Sequence, residues 1–149
     1  MTASKEAIMK NKRYRPLFDK LYWSISIPTA LLVLIPTAVL AVLSPETLFL
    51  MIPLSVFVLY FFVTPFFGYA ELRESSLFIK FGIFLRKEIP YHKIREIKKE
   101  RKFYSDSMTS LKNAFEHINV KYNAFDVTSV SLEDNEEFIR ELKKRCSAL

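Results

Sequence analysis

The sequence has little cysteine, glycine or histidine, and each shortage excludes a class of function. Its single cysteine, Cys146, cannot form an intrachain disulfide or a thiolate metal cluster, and it suits a reducing compartment. Two glycines leave no glycine-rich phosphate loop and no flexible linker between parts of the chain. The two histidines, His92 and His117, lie outside the spacings of metal-binding and catalytic motifs, and we expect no metal and no cofactor.

Two long segments lack charged side chains altogether. Residues 21–43 and 47–67 are apolar, and each is about as long as the ~20 residues that a transmembrane helix needs. Only residues 44–46 separate them, so the sequence predicts a transmembrane helical hairpin over residues 21–67. A buried hairpin in a soluble core would need more protein to cover it than the rest of the chain supplies. The absence of ionisable residues in both spans argues against a transport pathway.

Basic residues precede this hairpin and follow it. The net charge is +6, and residues 1–20 form a basic segment with six basic and two acidic side chains. By the positive-inside rule, the sequence predicts a multi-pass protein of the cytoplasmic membrane with both termini in the cytoplasm. Aromatic residues near the ends of the spans are predicted interface anchors: Tyr14, Tyr22, Trp23, Tyr60 and Tyr69.

From residue 68 onward, apolar and polar residues alternate, which is typical of strands. The predicted strands cover residues 69–73, 77–81, 84–89, 94–104, 118–122 and 130–132. Residues 105–114 are small and polar and are predicted to form a loop. His117 is assigned to the polar face of its strand, where it would be solvated.

The sequence ends in a predicted amphipathic helix. Asp134 and Glu137 have the spacing of a capping box, and the residues on one helical face are Phe138, Ile139, Leu142 and Cys146. The fold class is therefore α+β: a two-helix transmembrane hairpin is followed, over residues 68–149, by a small antiparallel β-barrel or sandwich that a C-terminal α-helix caps.

Four stretches of this domain resemble bacterial membrane proteins that carry a pleckstrin-homology (PH) domain. They are Tyr69-Ala70-Glu71-Leu72, Leu77-Phe78-Ile79-Lys80-Phe81-Gly82, Ile89-Pro90-Tyr91-His92-Lys93-Ile94, and the segment from Ser131 through Phe138-Ile139 to Leu142. The order of a two-helix anchor, strands and a C-terminal helix is also similar to that family. The resemblance implies a PH-like fold and a binding or scaffolding role, and it supplies no catalytic residues.

The densest basic stretch of the domain supplies the candidate site. Lys98, Lys99, Arg101 and Lys102 are candidate contacts for anionic lipid head groups, since each basic residue near a membrane surface contributes about 1 kcal/mol. A solvated edge strand that uses lysines against aggregation explains the stretch equally well, because glutamates interleave with the basic residues. The domain lacks the net charge and exposed aromatics that nucleic acid binding needs.

These patterns predict a membrane-anchored PH-like interaction or scaffold module at the cytoplasmic membrane surface, without catalysis of its own. Its predicted partners are the lipid bilayer and either another protein or a second copy of the chain, recruited by strand addition. The alternative is a small self-protection protein, such as an immunity or stress factor, that acts through its two spans.

Overall fold

The computed structural model describes residues 11–105, 107 and 110–147, so the first ten residues of the predicted basic segment lie outside the described residues. The described residues form β1 (Lys12–Tyr14), α1 (Lys20–Leu43), α2 (Leu48–Val63), β2 (Tyr69–Leu72), β3 (Ser76–Lys80), β4 (Arg86–Pro90), β5 (Ile94–Arg101), β6 (Ser110–Leu111), β7 (Glu116–Tyr122), β8 (Asp126–Val130) and α3 (Asn135–Ser147). This order confirms the predicted α+β class.

The predicted helical hairpin is present. A short 3-10 helix at Pro45–Thr47 joins α1 to α2, and a second one at Thr64–Phe67 extends α2 towards β2. Both segments are long and apolar enough to cross a membrane, and only 6% of the most apolar window of each is buried. The core helices of a soluble protein are mostly buried, so the apolar surface of this hairpin requires a cover that the described part of the domain does not provide.

The described strands form two four-stranded sheets, in the orders β1-β2-β3-β4 and β5-β7-β8-β6. The domain is therefore a sandwich, and the described strands do not close into a barrel. Pro90 ends β4, and the 3-10 turn Tyr91–Lys93 then leads the chain into the second sheet. Among the described strands, each sheet is open and keeps two edge strands.

The segment before α1 supplies a strand that the sequence analysis did not predict. β1 pairs antiparallel with β2, with Lys12 opposite Leu72 and Tyr14 opposite Ala70. Tyr14 is only 5% exposed, and its ring packs edge-on against that of Phe138 at 5.2 Å. Its predicted role as an interface anchor is therefore wrong, because pairing with β2 turns this side chain into the core.

Helix α3 covers the core as predicted. Asp134 Oδ1 accepts the N–H of Glu137 at 3.1 Å, and Phe138 and Leu142 are fully buried. Near the end of the helix, the buried Arg145 guanidinium donates to the carbonyl of Arg73 at 2.8 Å, which ties α3 to the end of β2.

Two predictions for the second sheet are wrong. Within the predicted loop, residues 110–111 form β6, which lies parallel to β8. His117 is fully buried instead of solvated, and its Nδ1 lies 3.0 Å from the carbonyl oxygen of Phe115. Asn119, two residues further along β7, is also buried, and its Oδ1 accepts from Ser129 Oγ at 2.6 Å, which lies 3.1 Å from Ser105 Oγ.

Candidate functional site

Asp19 bonds the start of α1 to the second sheet. Its Oδ1 accepts the N–H groups of Leu21 at 2.9 Å and Tyr22 at 3.3 Å, as an N-cap does. Its Oδ2 accepts the N–H of Phe115 at 2.8 Å, just before β7. The Asp19 carboxylate therefore caps α1, at one end of the hairpin, and also positions the domain through its bond to Phe115.

Aromatic side chains pack the two helix ends together at this junction. The Phe18 ring stacks on that of Phe66 at 4.3 Å, and the Tyr22 hydroxyl donates to the carbonyl of Phe62. The start of α1 is thus fixed beside the end of α2. The two helix ends pack together, and the domain contacts them as one unit.

Both glycines of the chain lie where the domain meets the hairpin. A Cβ on Gly68, between the 3-10 turn and β2, would be 2.4 Å from Leu111 Cδ1. Gly82, after β3, has φ +137°, and a Cβ there would be 2.0 Å from Thr64 Cγ2. The positive φ of Gly82 disfavours any other residue there, and a Cβ on Gly68 would also meet the carbonyl oxygens of Lys80 and Pro65 at 3.0 and 3.1 Å. The domain therefore rests directly on the hairpin without a linker.

Strand direction gives the domain a hairpin end and a distal end. β2 leaves the hairpin at Tyr69, opposite Lys80 of β3, so the β3–β4 turn at residues 82–85 lies at the hairpin end. The β2–β3 turn at residues 73–75 lies at the distal end. β7 starts beside Asp19 and continues for seven residues, so the β7–β8 turn lies about 20 Å along the strand from Asp19, at ~3.3 Å per residue.

The structure places Lys98, Lys99 and Arg101 in β5 and Lys102 directly after it, but it does not gather them on one surface. Alternation along the strand puts Lys98 on one face of the sheet and Lys99 with Arg101 on the other. Three of the four have acidic partners: Lys98 pairs with Glu96, Lys99 with Glu116 and Glu136, and Lys102 with Glu100. Their contact with lipid head groups stays a prediction.

These ion pairs also set the charge of the β5 surface. Hydrogen bonds from Lys121 and then Lys98 lower the pKa of Glu96, and a hydrogen bond from Lys102 lowers the pKa of Glu100. Both carboxylates therefore stay ionised at neutral pH and offset the positive charge of their partners. Exposed pairs of this kind contribute little to stability, so their main effect is on the surface potential.

The outer edge of β5 is a second candidate surface. β5 pairs with β7 on one side, and none of the described strands pairs with its other side. Beside the first residues of β5, on the side that pairs with β7, Arg95 and Glu96 line a cavity of about 320 Å³ together with Phe125 of the β7–β8 turn, and the Phe125 side chain is 95% exposed. The sequence analysis missed Phe125, although a large apolar residue in a turn between Asn123 and Asp126 was a usable signal.

Comparison with known proteins adds a family to this geometry. The bacterial PH domain family matches residues 69–146, from the first residue of β2 to the last turn of α3. No curated protein matches, and no solved structure does. The two sheets and the C-terminal helix fit a PH-like sandwich, and the match covers more than half of the chain. The chain therefore belongs to the bacterial PH domain family.

Proposed function

We propose that this protein is a membrane-anchored PH-like interaction module. α1 and α2 cross the cytoplasmic membrane, and the domain lies on its cytoplasmic face. The observation that carries the proposal is the junction, in which Asp19, Gly68 and Gly82 hold the domain directly against the ends of two apolar helices. Because the domain leaves the apolar surface of these helices uncovered, the bilayer is the solvent that suits them.

The outer edge of β5 is the surface that suits a protein partner. An extended segment of another polypeptide, or of a second copy, can add to this edge through main-chain hydrogen bonds. Phe125, in the β7–β8 turn across a cavity from the first residues of β5, supplies an exposed apolar anchor, and exposed aromatic residues are frequent anchors of interfaces. The interleaved Lys and Glu side chains of β5 then favour a partner with a complementary charge pattern.

Site-specific photo-crosslinking in cells tests this surface. A photoreactive residue at Arg95, on the β5 edge, is expected to give a crosslinked product that the F125S variant loses. The matched control position is Glu74, which is also exposed at the distal end but lies in the β2–β3 turn, away from the edge. Equal products from both positions would contradict a specific edge. No product from either position would favour the alternative self-protection function, in which the two spans act.

A further inference from the structure

The β3–β4 turn presents an apolar tip beside α2. Ile83, Phe84 and Leu85 are consecutive and exposed, with Phe84 at 76%. The Phe84 ring centroid is 6.3 Å from that of Tyr60, which lies three residues before the end of α2 at Val63. The tip therefore lies along the side of the helix, about 5 Å inside its end by the rise of 1.5 Å per residue.

The close approach of Gly82 keeps this tip in place. Because Gly82 has a positive φ and its Cα rests against the Thr64 side chain, the turn cannot move away from α2 without losing that contact. The apolar tip is thus a fixed part of the hairpin end and not a loose loop.

A second apolar tip lies at the same level beside α1. Phe103 and Tyr104, after β5, are exposed, and Phe103 lines a cavity of about 290 Å³ together with Ile25 and Phe61. Ile25 lies five residues into α1, about 8 Å from its start at the rise of 1.5 Å per residue. Lys112 holds this segment, since its Nζ donates to the carbonyls of Lys102, at 2.6 Å, and Tyr104.

Basic side chains flank the first tip. Lys80 and Arg86 lie directly opposite each other across the β3–β4 pair, one on each side of the turn. Like charges in this arrangement destabilise a sheet unless an anion lies near both. The apolar side chains of the tip lie at the depth of the helix ends, and the cations lie just outside them. A bilayer leaflet has the same order, with acyl chains inside and phosphates outside.

We infer that both apolar tips insert into the boundary layer between lipid head groups and acyl chains, with lipid phosphates near Lys80 and Arg86. The domain thereby has a membrane contact of its own, besides the spans. This inference rests on the membrane-crossing part of the proposed function.

Fluorescence of the full-length protein in vesicles tests the inference. In a C146S background, an environment-sensitive dye is attached to F84C, F103C or the control F125C, which carries an exposed phenylalanine at the distal end. In vesicles that contain phosphatidylglycerol, positions 84 and 103 are expected to show blue-shifted emission and quenching by spin-labelled lipid, and position 125 neither. Emission at position 84 equal to that at position 125 would overturn the insertion.

A dye at L32C, in the middle of α1, separates the two proposals. Quenching of position 32 by deeply spin-labelled lipid, without quenching of position 84 by lipid that is spin-labelled near the head group, would overturn the insertion alone. No quenching at position 32 would overturn the proposed function as well.

The net charge of the head group tests Lys80 and Arg86. Because phosphatidylglycerol is anionic and phosphatidylcholine is zwitterionic, the blue shift at position 84 is expected to be larger in phosphatidylglycerol vesicles, and the K80Q/R86Q variant is expected to abolish that difference. If the difference persists in K80Q/R86Q, the head-group phosphates do not lie near these side chains; if it disappears in K98Q/K99Q/R101Q/K102Q instead, the β5 cluster binds them.

Discussion

At the scale of single residues, Asp19 connects the hairpin to the domain through one carboxylate. We expect D19A to lower the free energy of unfolding by about 1–3 kcal/mol, because α1 loses its N-cap and the Phe115 N–H loses its acceptor. D19N keeps one side-chain oxygen and should lose less. Thermal unfolding in mild detergent, followed by circular dichroism, measures both variants. Equal stability of D19A and the wild type would show that the junction does not depend on this residue.

Glu88 gives the domain a pH-dependent contact. The Ser76 hydroxyl donates to its carboxylate at 2.5 Å and lowers its pKa, and the charge of Arg73 acts in the same direction. A carboxylate with a lowered folded-state pKa contributes stability above its unfolded pKa of about 4.3, and this stability is lost as the pH falls through the folded pKa.

We therefore predict that S76A raises the pKa of Glu88 and lowers the unfolding midpoint at about pH 7 more than at about pH 3. An NMR titration of the Glu88 carboxyl group measures the pKa, and melting curves at both values of pH measure the midpoint. E88Q is the control, since S76A added to E88Q should have an effect that does not depend on pH in this range. An unchanged Glu88 pKa in S76A would contradict the assignment.

At the scale of elements, β1 stabilises the domain through Tyr14. Y14A removes a buried ring that packs against Phe138, and we expect a loss of about 3–5 kcal/mol. R13A, one residue away with an exposed side chain, should cost less than about 1 kcal/mol. Hydrogen exchange of the β2 amides is expected to rise in Y14A and not in R13A, because β1 releases its partner strand. Similar losses in both variants would mean that Tyr14 is not a core residue.

The elements differ in how far their sequences predict them. Long uncharged runs specify α1 and α2, and the spacing of Phe138, Leu142 and Cys146 specifies α3, since each signal is local. β1 has three residues and β6 has two, which is too short for a pattern. Their structure comes from pairing with β2 and β8, which lie far along the chain, so no local signal could predict it.

The same limit applies to the candidate site. The density of Lys98, Lys99, Arg101 and Lys102 was visible in the sequence, but two of the acidic partners, Glu116 and Glu136, come from β7 and α3. The apolar tips at Phe84 and Phe103 were also visible as residues. Both tips lie beside the hairpin because β3 and β5 each run back to the hairpin end of the domain. The arrangement of all the strands in the sandwich determines this, so local sequence could not predict it.

At the scale of the whole molecule, the proposed topology places the short turn at Glu46 across the membrane from the domain. In a C146S background, E46C should react with a membrane-impermeant maleimide in intact cells, whereas E74C should react only after permeabilisation. The two sites are both exposed turn residues, so reactivity differs only with the side of the membrane. Reaction of both residues in intact cells would contradict cytoplasmic placement of the domain.

The contacts of Gly68 and Gly82 also fix how far the β5 edge stands from the bilayer. A domain on a flexible tether explores many heights and angles, and its partner site is diluted over that volume. Here the tether has no length, so the edge keeps one distance and one orientation relative to the hairpin. Under the proposed function, a partner confined to the same membrane therefore binds only if its own strand reaches the edge at that distance from the bilayer.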